Sequence, residues 1–64
     1  MKKLKQIRKS KGLTMKELGK IIGVTGLTIY RYEAGIRKPN IDLAIKLAET
    51  LEVPVKELFT DIQS

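Results

Sequence analysis

Residues 15–34 constrain the fold of this chain more than any other stretch. Leu18 and Ile22 are four residues apart, which is the spacing of one helical face, and Gly23 then interrupts the apolar pattern. Glycine readily takes the left-handed backbone conformation that ends a helix. Thr25, two residues further on, is a favoured N-cap for a following helix. The stretch therefore predicts two short helices joined by a turn of about three residues.

The second helix of this pair is predicted over Thr25–Ala34. Its inner face contains Ile29 and Tyr32, which are three residues apart. Gly19, in the first helix of the pair, supplies a position without bulk where two helices cross at a steep angle. Such a pair is suited to placing its second helix in a DNA groove while the first helix braces it.

Capping residues and apolar stripes predict three further helices around this pair. Thr14 and Glu17 have the spacing of a capping box, which starts the second helix of the chain. In chain order, the predicted helices cover Lys2 to Lys11, Thr14 to Ile22, Thr25 to Ala34, a stretch capped by Asn40, and a stretch that begins at Pro54 and runs to the chain's end. No strand pattern appears. The sequence thus predicts an all-α, compact five-helix domain over residues 1–64, with helices 2 and 3 as the central pair.

The composition excludes several classes of function. The chain has 64 residues, with no cysteine and no histidine, so disulfides, thiolate metal sites and histidine-based catalysis are excluded. Apart from Glu33, its carboxylates are explained as helix caps or as part of an acidic C-terminal third. We therefore expect no enzyme activity, no metal and no cofactor.

Nothing in the sequence predicts insertion into a membrane or export. The longest apolar-rich stretch, Ile41 to Leu51, is broken by charged and polar residues. The basic start of the chain is not followed by the apolar region of a signal peptide, so a cytoplasmic protein is expected.

Positive charge is concentrated at the start of the chain. The formal net charge is +6, and residues 1–12 contain six basic residues and no acidic one. Residues 41–64 contain two basic residues against five acidic ones. This asymmetry indicates that one end faces a polyanion, and the alternative is a chance gradient on a solvated surface.

The helix pair resembles the helix-turn-helix of the phage Cro/repressor type, also called the XRE family. The resemblance extends from about Leu4 to Phe59, and seven positions of the pair carry it: Leu18, Gly19, Ile22, Gly23, Val24, Ile29 and Tyr32. It implies a sequence-specific transcriptional regulator of the repressor type that binds double-stranded DNA. It also implies a homodimer on a near-palindromic operator, with half-sites about one helical turn apart.

The resemblance assigns base reading to the start of helix 3 and to one residue a turn further on. These positions are Thr25, Gly26, Leu27, Thr28 and Arg31. Arg31 can donate to O6 and N7 of guanine together, or is a phosphate contact or a solvated residue. Leu27 can pack on a thymine methyl group, or is a spacer or a partly buried core residue. Gly26 stands where the family often has a polar side chain, so either its backbone approaches the DNA closely or that base is not read.

Residues that flank helix 3 are expected to contact phosphates, which position a protein without reading sequence. They are Thr14, Lys16, Tyr30, Arg37, Lys38 and Asn40. Tyr30 either reaches a phosphate with its hydroxyl group or shields the flank of the helix. Capping alone can explain Thr14. Met15 stands where the family commonly has a phosphate-binding glutamine, and its side chain has no comparable donor.

Two further assignments concern structure and assembly. Arg8 and Glu33 match an ion pair that the family commonly places between helices 1 and 3, so both are assigned a structural role. The dimer contact is expected in the C-terminal part, where Leu58, Phe59 and Ile62 either meet a second copy or belong to the core.

Two other functions fit parts of the sequence. The same fold can serve as a protein-interaction module or an antitoxin, and the low polarity of Met15, Gly26 and Leu27 favours that alternative. The basic first helix is compatible with an anionic lipid surface, but its inner face is needed for the core.

Overall fold

Five helices and their connections form residues 1–59, the part of the chain that this computed structural model describes. In chain order they are α1 (Lys2–Ser10), α2 (Met15–Ile22), α3 (Gly26–Glu33), α4 (Ile41–Leu51) and α5 (Val55–Leu58). Residues 1–59 contain no strand, and the predicted all-α class is confirmed. The prediction that the fifth helix continues to the chain's end is wrong at Phe59, because α5 ends at Leu58 and Phe59 leaves the helical conformation. The part of that prediction that concerns Ile62 lies outside the described residues.

Side-chain caps fix where three of the helices begin. Thr14 Oγ1 accepts a hydrogen bond from the Glu17 backbone N–H at 3.0 Å, and Glu17 Oε1 accepts one from the Thr14 N–H at 2.8 Å. The predicted capping box is therefore present. Thr25 and Asn40 each accept from the backbone N–H three residues further on, at 3.1 and 2.9 Å. These bonds satisfy N–H groups that a first helical turn leaves without partners, so α2, α3 and α4 start at defined residues.

All five helices contribute to one apolar core. The largest fully buried side chains are Leu4, Leu18, Ile29, Leu47, Leu51 and Leu58. Leu58 thus belongs to the core and is not available to a second copy, while Phe59 packs against the core half-buried. Of the two alternatives given for Leu58, the structure supports the core residue, and this side chain holds the short α5 on the domain.

Two glycines set the turn between α2 and α3. Gly23 has φ of +86°, in the left-handed region, where a side chain costs about 1–2 kcal/mol. A Cβ atom on Gly19 would lie only 2.6 Å from the Val24 carbonyl oxygen and 2.9 Å from the Thr25 carbonyl. The turn therefore packs directly on the α2 backbone, and this contact fixes the direction in which α3 leaves.

A buried ion pair ties α1 to α3. Arg8 Nε donates to Glu33 Oε2 at 2.6 Å, and Arg8 Nη2 donates to Glu33 Oε1 at 3.2 Å. The third donor, Nη1, reaches the Leu13 carbonyl oxygen at 2.7 Å. The two side chains are only 7% and 3% exposed. The guanidinium group thus makes a bidentate, charge-assisted contact with the end of α3. Its third bond joins the same group to the loop that follows α1.

We expect Glu33→Gln to lower the free energy of unfolding by about 3–5 kcal/mol, because it leaves the buried Arg8 guanidinium group without its counter-charge. Urea denaturation at neutral pH measures this change. The control is the double variant Arg8→Met, Glu33→Leu, which removes both charges and is expected to be more stable than Glu33→Gln. A Glu33→Gln protein as stable as the wild type would contradict the expectation.

Candidate nucleic-acid interface

The outward face of α3 is the centre of the candidate site. Ile29 and Tyr32 are buried in the core, as their spacing predicted. On the opposite side, Leu27 and Tyr30 are about half exposed and Arg31 is exposed. The helix therefore presents an apolar side chain, a phenol and a guanidinium group on one accessible surface. Because Leu27 is exposed, its alternative assignment as a partly buried core residue is not supported.

The start of α3 carries two threonines that bond to each other. Thr25 Oγ1 accepts from the Thr28 backbone N–H and also lies 3.0 Å from Thr28 Oγ1. One of the two hydroxyl hydrogens is used in this contact, and the other remains to donate to a ligand. Thr25 is exposed and Thr28 is half-buried, so the pair offers one polar group next to Leu27.

Gly26 is oriented toward α2, which the sequence pattern did not predict. A Cβ atom on this residue would lie 3.2 Å from both the Cα and the backbone nitrogen of Lys16, and 3.4 Å from the carbonyl carbon of Met15. A larger side chain would have to displace backbone by a few tenths of an ångström. Close packing of α3 on the first turn of α2 is therefore a structural reason for glycine here, independent of any contact with DNA.

Two lysines of α2 lie beside the start of α3. Lys16 and Lys20 are one helical turn apart and both are exposed. With Val24, Thr25 and Gly26 they line a shallow open groove of about 640 Å³. Sequence reasoning singled out Lys16 but missed Lys20. The spacing of four residues between them is the signal that could have found it.

The hydrogen bonds of Thr14 are largely used within the protein. The backbone N–H of Thr14, and to a smaller extent its hydroxyl group, stabilise the Glu17 carboxylate. Together they hold the pKa of that carboxyl below its ordinary value. Glu17 is therefore ionised at neutral pH, and Thr14 serves the cap of α2. The cap accounts for Thr14 by itself, and its phosphate contact stays a prediction.

The basic loop after α3 folds back on that helix. The backbone N–H groups of Ile36 and Arg37 donate to the Arg31 carbonyl oxygen at 2.9 and 3.2 Å. Arg37, Lys38 and Asn40 are all exposed. Neither Arg37 nor Lys38 forms an ion pair with another residue of the range 1–59. The loop therefore places next to the α3 surface two cations that no described residue neutralises.

Other kinds of site find no support in the described part of the chain. Residues 1–59 contain no group of three acidic residues, histidines or cysteines that could hold a metal ion. None of the helices in this range is long and apolar enough to span a bilayer.

Comparison with known proteins connects this geometry to a family. Residues 4–58 match the family described as helix-turn-helix. A protein of Methanocaldococcus jannaschii that is named an HTH-type transcriptional regulatory protein is 37% identical to this chain over 54 residues. The match covers 84% of this chain and 17% of the relative. A protein of the same description from Methanospirillum hungatei is 36% identical over 62 residues, covering 97% of this chain and 20% of the relative.

A phage protein is also similar. The cryptic phage CTXphi transcriptional repressor RstR of Vibrio cholerae is 32% identical over 62 residues, covering 97% of this chain and 56% of the repressor. This chain thus spans a fifth or less of the two archaeal relatives and just over half of the phage repressor. No solved structure matches the chain.

Proposed function

The chain belongs to the helix-turn-helix family, and we propose from that premise that it is a sequence-specific, double-stranded DNA-binding transcriptional regulator that acts as a repressor. The single observation that carries the proposal is the exposed α3 surface with Leu27, Tyr30 and Arg31, braced from behind by α2. An α-helix of this kind fits the major groove, which is about 12 Å wide.

Base reading is assigned to the side chains at the start and outer side of α3. Arg31 donates to O6 and N7 of a guanine, and Leu27 packs on a thymine methyl group. The hydroxyl groups of Thr25 and Thr28 contact bases or the sugar-phosphate edge. Gly26 has no side chain and contributes through its backbone only.

Residues around the base-reading side chains of α3 contact phosphates. They are Thr14, Lys16, Tyr30, Arg37, Lys38 and Asn40. The cationic members release counterions when they neutralise phosphates, so binding weakens steeply with salt. The net charge of +6 supports this assignment.

A cytoplasmic location, where bacterial or phage DNA is accessible, is part of the same proposal. So is the absence of catalysis, since the chain has no histidine or cysteine and its buried Glu33 is held by Arg8.

We also propose that two copies bind one operator, and that α4 supplies the contact between them. Ile41 and Ile45 lie one helical turn apart on α4 and are 68% and 41% exposed. Beside them, Asp42 and Lys46 are exposed and form no ion pair within residues 1–59. If two α4 helices pack antiparallel about a two-fold axis, each Asp42 lies opposite the partner's Lys46. Such a face is complementary to itself, as an isologous contact requires.

Selection from a random pool of double-stranded DNA at physiological salt tests the function. We expect an enriched motif with two inverted halves, about one helical turn apart centre to centre. A folded protein that enriches no motif would contradict sequence-specific binding. The same fold acting as a protein-interaction module is the competing function, and a partner that co-purifies with a protein inert toward DNA would favour it.

We expect Arg31→Ala and Lys38→Ala to differ in kind on the selected operator. Arg31→Ala is expected to relax the preference at one base position, a loss of about 1–3 kcal/mol of discrimination. Lys38→Ala is expected to lower affinity evenly across sequences, because a phosphate contact carries no base information. Fluorescence anisotropy with the operator and its single-base variants measures both changes. An unchanged sequence preference in Arg31→Ala would rule out its base-reading role.

We expect the double variant Ile41→Ser, Ile45→Ser to bind an isolated half-site with wild-type affinity but to lose cooperative binding to the full operator. The reason is that it removes apolar area from the α4 surface without opening the core. Sedimentation velocity with the operator duplex counts the bound copies. Ile21→Ser, at an exposed isoleucine on α2, is the matched control. Two copies bound cooperatively by the double variant would exclude this contact.

A further inference from the structure

A small cleft joins α1 to the exposed face of α3. It has a volume of about 140 Å³ and is lined by Lys5, Met15, Tyr30, Glu33 and Ala34. These residues come from α1, the first turn of α2, and the end of α3 with the residue that follows it. Lys5 is therefore adjacent to the surface assigned to DNA, although it belongs to the helix at the start of the chain.

The chemistry of the lining favours an anion. Lys5 and Tyr30 are exposed and can both donate hydrogen bonds, whereas Met15 and Ala34 add only apolar contact. Lys5 forms no ion pair within residues 1–59, so no residue of that range neutralises its charge.

The one carboxylate in the cleft does not oppose an anion strongly. Glu33 is 3% exposed, and both of its oxygens accept hydrogen bonds from Arg8 at 2.6 and 3.2 Å. Its charge is thus balanced by a guanidinium group before any ligand arrives. The ammonium group of Lys5 is the remaining, uncompensated charge among the lining residues.

The cleft is partly open to solvent, and its volume of about 140 Å³ leaves room for a group as small as a phosphate.

We propose that Lys5 and Tyr30 together hold one backbone phosphate of duplex DNA, so that the contact surface extends from α3 onto α1. This inference rests on the proposed DNA-binding function and adds a residue and a site to it. Lys5 contributes the charge and Tyr30 contributes a neutral donor to the same phosphate. The site positions the domain on the duplex and reads no base.

The salt dependence of operator binding tests the role of Lys5. For Lys5→Gln we expect the slope of log K against log salt to fall in magnitude by about 0.9, the value for one phosphate contact on B-form DNA. The preferred sequence is expected to stay the same. Lys3→Gln is the matched control, since it also removes one charge from α1. The Lys3 Nζ atom lies 3.9 Å from Glu57 Oε1 of α5, away from the cleft. We expect its slope to equal that of the wild type.

Tyr30→Phe tests whether the two residues share a phosphate. It removes a hydroxyl group and no charge, so we expect affinity to fall roughly 2- to 10-fold with the salt slope unchanged. If both residues bind one phosphate, the double variant Lys5→Gln, Tyr30→Phe loses less affinity than the product of the two single losses. Strictly multiplicative losses would overturn the shared site.

Two failures are distinguishable in this experiment. A wild-type protein that binds no duplex at low salt would contradict the proposed function itself. A wild-type protein that binds its operator, together with Lys5→Gln and Lys3→Gln proteins of identical slope, would overturn only the site on α1. Thermal unfolding of each variant by circular dichroism establishes that the compared proteins are folded.

Discussion

The position of α3 depends on the contact between the turn after α2 and the α2 backbone. At Gly19 the Val24 carbonyl oxygen lies where any Cβ atom would stand, so two backbones meet without a side chain between them. Gly26, seven residues later at the start of α3, packs in a similar way against the backbone of Lys16. The two contacts leave α3 little freedom to tilt, and the buried pair of Arg8 and Glu33 holds its other end to α1. If α3 enters a DNA groove as proposed, a helix fixed at both ends loses less conformational freedom on binding.

The two sides of α3 carry separate tasks. Ile29, Tyr32 and Glu33 are buried and hold the helix to the domain, whereas Leu27, Tyr30 and Arg31 face outward. The carbonyl of Arg31 receives two N–H groups of the following basic loop. Arg31 and the loop that carries Arg37 and Lys38 are thus joined by backbone hydrogen bonds, so under the proposed function the phosphate contacts of the loop set the angle at which Arg31 enters the groove.

The sequence predicted the features that depend on local chemistry. Capping residues such as Thr14 and Asn40, the left-handed Gly23 and the apolar stripes are recognisable from spacing alone, and the structure contains them. Features that depend on how helices pack were missed. Spacing does not reveal that Gly26 faces α2, or that Lys5 and Tyr30 line one cleft. Such facts follow from the positions of residues distant in the chain, which periodicity does not encode.

The division of α3 into a buried side and an exposed side also bears on how a regulator of this kind changes its target during evolution. Substitutions at exposed positions away from packed contacts usually change stability by less than about 0.5 kcal/mol. Leu27 and Arg31 can therefore vary while Ile29 and Tyr32 keep the helix in place. Under the proposed function, a lineage can move from one operator to another through folded intermediates, and a gene duplicate can acquire a new set of promoters without first acquiring compensating changes in its core.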